Sequence, residues 1–142
     1  MNARIREAGT DDIPALAALI RALGYEVDEA GVGARLDELI AEGRRPLVAE
    51  DGRVIGCLTW SLTRVLHRPR PVGRITMLVV EEGVRGRGLG RLLVEAAEHR
   101  LRREGCGLVE VTSNLRRTDA HGFYERLGFE RTSYRFYRSL TG

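Results

Sequence analysis

Hydrophobic and polar positions alternate along this chain in two periods, and the switches between them mark out its elements. "ARIREA" (3–8) alternates as a strand does. Leu16, Leu19, Ile20 and Leu23 recur at helical spacing, which predicts a helix over 11–23 capped by Thr10 or Asp11, with Pro14 in its first turn and Gly24 ending it. Leu36, Leu39 and Ile40 form a narrower stripe on a second helix over about 29–42. "PLVAED" and "RVIGCLTWSLTRVL" flank Asp51-Gly52, a strong hairpin signal. After the loop "HRPRPVG", the run "RITMLVVE" is nearly apolar throughout, as in a strand covered on both faces. A glycine-rich turn leads into a helix over about 88–104, stopped by Gly105, and "CGLVEVTS" reads as another buried strand. A short helix over about 119–127 ends at Gly128, and "FERTSYRFYRSL" alternates as a closing strand. The order β-α-α-β-β-β-α-β-α-β predicts a mixed α/β sheet with helices on both faces.

Length and composition narrow the class. At 142 residues, with 43% hydrophobic and 30% charged positions, the chain is expected to be one soluble domain, residues 1–142, with a proper core. No apolar run is long enough to span a membrane, and "MNARIREAGTDD" lacks a signal peptide's apolar stretch, so a cytoplasmic location without membrane association is expected. The net charge of +3 invites a nucleic-acid partner. The 23 basic residues are all arginine, however, and they are interleaved with 20 acids without a basic face or recognition motif. No nucleic acid is expected. Cys57 and Cys106 lie in apolar runs without metal-ligand spacing, which favours buried free thiols and no metal.

The chemistry concentrates in "VVEEGVRGRGLGRLLVEAAE" (79–98), where a strand turns into a helix through Gly86, Gly88 and Gly90. First-turn amides point out of a helix unpaired and carry partial positive charge, and glycine lets an anion approach them closely. Arg85, Arg87 and Arg91 add side-chain charge, so the expected guest is a polyanion such as a pyrophosphate; the plainer alternative is a tight turn that packs helix on strand. The spacing G-x-G-x-G is not the dinucleotide fingerprint, and no Gly-Lys-Ser/Thr completes a P-loop.

Arg85-Gly86-Arg87-Gly88-Leu89-Gly90 resembles the R/Q-x-x-G-x-G/A acetyl-CoA signature of the GNAT superfamily of N-acetyltransferases. "SNLRRTDAHGFYERLGF" (113–129) resembles the superfamily's second motif, and the likeness covers the whole chain. Within the superfamily it is most similar to a branch containing aminoalkylphosphonate N-acetyltransferases. The resemblance implies a GNAT fold, a mixed and mostly antiparallel sheet splayed between strands 4 and 5. It implies acetyl-CoA as co-substrate, with pantetheine on the backbone of Leu78, Val79 and Val80 and the pyrophosphate on the amides from Arg85 to Arg91, Leu89 included. Asn114 would hold the pantetheine arm, or else serve as a turn asparagine. Tyr124 would protonate the departing thiolate, or else be a half-buried core tyrosine.

An attacking amine of lysine-like pKa is almost wholly protonated at neutral pH, so a base or desolvation must help. Relatives often place a carboxylate on the strand before the glycine turn; here that stretch reads Met77, Leu78, Val79. Glu110 remains as base, or as the partner of an arginine, while Glu81 and Glu82 are expected to be solvated and His121 structural. The acceptor expected is a small-molecule primary amine attacking directly in a ternary complex. Six acids between positions 26 and 42, and the arginines of 64–74 with His67, suit a zwitterion. A protein or peptide acetyltransferase and a non-catalytic acetyl-CoA-binding module are the alternatives. The closing strand's apolar bulk on both faces points to a homodimer.

Overall fold

A computed structural model describes residues 2–113 and 115–142. It falls into two compact units, Met1–Glu110 and Val111–Gly142.

In the first unit, β1 (Arg4–Glu7), β2 (Leu47–Glu50), β3 (Val54–Thr63) and β4 (Val72–Val80) pair antiparallel in chain order, and β5 (Leu108–Val111), all but its last residue in this unit, follows beside β4, parallel to it. Gly107 N–H donates to Pro71 O at 3.0 Å, tying the starts of these last two strands. The sheet is therefore mixed and mostly antiparallel. α1 (Ile13–Ala22) and α2 (Glu29–Ala41) pack on one face, where Leu16, Ala17, Leu19, Val32 and Leu36 meet Val48, Cys57 and Val79. Asp28 caps α2 by accepting from Gly31 N at 2.7 Å. The other face carries α3 (Leu89–Arg103), whose Leu93 and Leu101 lie against Gly56 and Gly73. A Cβ on Gly73 would come within 2.7 Å of Leu101, so only glycine permits this approach of helix to sheet. Trp60 is buried and its indole N–H donates to Arg45 O at 3.0 Å. Cys57 is free and buried, and burial pushes its thiol up to about 12, which leaves it inert.

The first helix begins later than its pattern suggests. A 3-10 turn over Thr10–Asp12 precedes it, and the side chain that organises the turn is Asp12, which accepts from Gly9 N at 2.8 Å. Asp12 also takes two bonds from Arg6 at 2.9 Å, and Arg6 bridges on to Glu50. The Arg6 guanidinium holds the Asp12 carboxyl below the usual carboxylate range, against the opposing effect of burial. A depressed folded-state pKa gives stability that is full above the unfolded carboxylate's titration and lost as pH falls through the folded value. Asp12→Asn should therefore destabilise the chain by about 1–3 kcal/mol at pH 7. In urea unfolding the difference from wild type should shrink below about pH 4; a difference independent of pH would contradict the ion pair.

In the second unit, α4 (Thr118–Arg126) ends where expected: Gly128 is left-handed, and Phe129 N–H returns to Tyr124 O at 3.0 Å. The closing strand read from "FERTSYRFYRSL" does not form. Residues 129–142 carry no strand, and Tyr134, Phe136, Tyr137 and Leu140 are exposed. Alternation supplies faces but not a ladder, and among the described residues of 112–142 no strand offers one.

Candidate functional site

The glycine turn is built as its sequence suggests, with one distinction among its glycines. Gly86 and Gly88 adopt left-handed φ of 85° and 79°, whereas Gly90 lies within α3. Gly88 is the N-cap and has no side chain to satisfy the first-turn amides of Leu89, Gly90 and Arg91. A Cβ built on Gly86 or Gly88 meets nothing within 4 Å, so the cradle is open where an anion would sit. Arg85 and Arg87 are exposed beside it. Arg91 is engaged with Glu95 at 2.9 Å, one helical turn on. Leu89, by contrast, is buried and anchors α3 to the core.

The register of β4 separates the three residues expected to meet pantetheine. Val79 and Val80 lie opposite Cys57 and Gly56, and Glu81 N–H donates to Ile55 O at 2.8 Å. Backbone groups alternate sides along a strand, so those of Val80 and Leu78 face away from β3 while those of Val79 face it. Val79 turns its side chain into the apolar cluster under α1 and α2. Leu78 and Val80 thus offer the open edge, and Arg85 Nε already donates to Val80 O at 3.2 Å.

Glu81 is not simply solvated: it forms a two-pronged pair with Arg53, one bond of 2.6 Å from Arg53 Nη2, which lowers its pKa. That pairing offsets the charge of Glu81, while Glu82, one residue closer to the turn, is exposed. Glu110, the last residue of the first unit, is exposed on β5, and β5 is half-buried, not enclosed as its apolar run suggests. The six acids between 26 and 42 are all exposed, as is His67.

In the second unit Tyr124 is half-buried on α4 with its ring edge-on to Phe123 and Phe129, at centroid distances of 5.1 and 5.6 Å. Burial raises its phenol pKa, and Arg117 opposes this. The phenol accordingly stays protonated at neutral pH and is available as a donor. Asn114 lies outside the described residues. Among the described residues no group of three or more His, Cys, Asp or Glu is placed to hold a metal, and no helix is long and apolar enough to cross a membrane.

The profile of the Acetyltransferase (GNAT) family matches residues 15–129, from α1 through the glycine turn to the end of α4. The chain belongs to the GNAT family. This GNAT chain is 33% identical over 141 residues to the aminoalkylphosphonate N-acetyltransferase of Salmonella typhimurium, covering 96% of this chain and 90% of the relative. A putative acetyltransferase from Agrobacterium tumefaciens superposes with a TM-score of 0.86 at 29% identity, covering 96% of this chain and 99% of that one. An aminoglycoside N-acetyltransferase solved with CoA has the same fold, with a TM-score of 0.87 at 21% identity over 99% of this chain and 96% of that one.

Proposed function

We propose that this GNAT enzyme transfers the acetyl group of acetyl-CoA to the primary amine of a small molecule, by direct attack within a ternary complex. The observation that carries this reading is the open cradle at the start of α3. Orphan amides, two left-handed glycines and exposed Arg85 and Arg87 face a space that a Cβ would fill. The cradle fits a pyrophosphate. An arm running back from it along β4 would meet the outward backbone of Val80, then Leu78, and would take Arg85's place on Val80 O.

Acetyl-CoA supplies an activated thioester. The amine nitrogen forms a bond to the acetyl carbon as the carbon–sulfur bond breaks; the amine gives up one proton and the thiolate gains one. The chain's residues are assigned accordingly. Arg85 to Arg91, Leu78 and Val80 hold the donor, and Val79 supports them from the core side. By the family pattern Asn114 binds the pantetheine arm and Tyr124 donates to the leaving sulfur. Glu110, exposed and ionisable, takes the amine's proton through water. The whole chain acts as one catalytic domain in the cytoplasm, without nucleic acid, membrane or metal. We assign it a homodimer in which the exposed aromatics of 134–140 are covered; light scattering that shows only monomer at micromolar concentration would remove that assignment.

Thermal denaturation tests the donor. Acetyl-CoA and CoA should raise the Tm by mass action, on the order of 10 °C at about a hundred times Kd. NAD, which has a pyrophosphate but no pantetheine, should do far less. Equal shifts from NAD and acetyl-CoA would overturn the reading.

A further inference from the structure

β4 carries one residue too many for its partner. Thr59 lies opposite Met77 and Trp60 opposite Ile75, which leaves Thr76 as a bulge. Thr76 Oγ1 and Thr59 Oγ1 are 2.6 Å apart. Directly opposed residues share a face, so Thr59 and Met77 lie on the side covered by α1 and α2, the side of Cys57 and Val79. The helical cover gives out just there. Met77 packs against the cluster, Thr59 and Ser61 are half-buried, and Thr76 is exposed. Ser61 lies opposite Arg74, which puts Arg74 on the same face two residues before Thr76.

Packing alone does not call for hydroxyls here, since valine has nearly the same shape. Two hydroxyls joined by one hydrogen bond keep a second proton and several lone pairs, enough to accept from an amine. The position also matters. If the donor lies as proposed above, on which this inference rests, its arm passes Val80 and Leu78 and its thioester end points towards Met77, beside the bulge.

We propose that the Thr59–Thr76 hydroxyl pair seats the acceptor's amine and that Arg74 seats an anion on the same acceptor. Two strand residues span about 7 Å, so an acceptor lying along this face between the hydroxyls and Arg74 is a short zwitterion: a primary amine joined by a few carbons to a phosphonate or carboxylate. The hydroxyls orient the nitrogen and do not act as a base. The bulge turns Thr76 to the face of its neighbour Met77, within reach of Thr59, which a regular strand would not do for adjacent residues.

The test is steady-state kinetics on the full chain, with aminoethylphosphonate, aminopropylphosphonate, the carboxylates of equal length and neutral propylamine. Acetyl-CoA thermal shifts are measured on every variant. Wild type should prefer the zwitterions to propylamine, with phosphonate against carboxylate deciding which anion Arg74 favours. Thr76→Val should lower kcat/KM for the zwitterion roughly 10- to 100-fold with an unchanged KM for acetyl-CoA, and Thr76→Ser should restore most of it. Arg74→Gln should raise KM for the zwitterions but not for propylamine. If wild type gives no acetyl-CoA shift, the donor reading fails. If the shift is present, either of two results overturns the acceptor seat: propylamine used as well as aminopropylphosphonate by wild type, or a Thr76→Val enzyme with wild-type kinetics.

Discussion

Replacing Tyr124 with phenylalanine is expected to lower kcat for acetyl transfer by about 10²–10³-fold while leaving KM for acetyl-CoA nearly unchanged. The ring keeps its edge-on contacts with Phe123 and Phe129, so the substitution removes a proton donor and little packing. Even an unshifted phenol is a weaker acid than a thiol by about 1.5 pKa units, roughly 2 kcal/mol uphill, and burial pushes Tyr124 further in that direction. The phenol therefore stabilises the sulfur as charge develops on it, and it is protonated throughout the neutral range. The Tyr124→Phe loss should be flat with pH across that range. Glu110→Gln should behave differently: its loss in kcat/KM should be largest near neutral pH and fade towards the amine's own pKa, where base assistance matters less. A Tyr124→Phe enzyme within twofold of wild type would make the tyrosine a packing residue. An unchanged pH profile in Glu110→Gln would leave the amine to lose its proton to solvent before binding.

Gly88→Leu should abolish the thermal shift produced by acetyl-CoA and leave the fold in place. The added Cβ meets no protein atom within 4 Å, so the substitution begins in open space. Its cost to folding is the left-handed backbone at φ 79°, about 1–2 kcal/mol, small beside a typical domain stability of about 5–15 kcal/mol. Its cost to binding is much larger, because the side chain projects where the phosphates must meet the amides of Leu89, Gly90 and Arg91. Circular dichroism like that of wild type, with no Tm rise from acetyl-CoA, is the expected pair of results. A retained shift would remove the cradle from the donor site.

The glycine turn proposed for the donor was legible in the sequence because local rules build it. An apolar strand, glycines at positions of forced backbone conformation and an amphipathic helix each leave a mark within twenty residues of chain, and the turn forms as read. What the sequence did not show depends on pairing. Arg6 reaches Glu50 across 44 positions, and Glu81 finds Arg53 across a strand pair, so neither partner is visible locally. The bulge at Thr76 is a mismatch between two strands, and the pattern of one strand cannot reveal it. The same limit explains the closing segment. Its alternation of Tyr134, Phe136 and Arg138 with Arg135, Tyr137 and Ser139 is strand-like, but a strand exists only where another backbone pairs with it. Val79 shows the converse case, where register assigns a residue to the core side that its neighbours' roles suggested for the donor.

The most direct measurement is release of free thiol from acetyl-CoA by the full chain in the presence of aminoalkylphosphonates, amino acids, polyamines, aminoglycosides and short peptides. The account predicts one thiol released for each amine acetylated, negligible release without an amine, and the fastest turnover with short aminoalkylphosphonates or their carboxylate counterparts. Turnover confined to peptides, or no turnover with any amine while acetyl-CoA still raises the Tm, would contradict it.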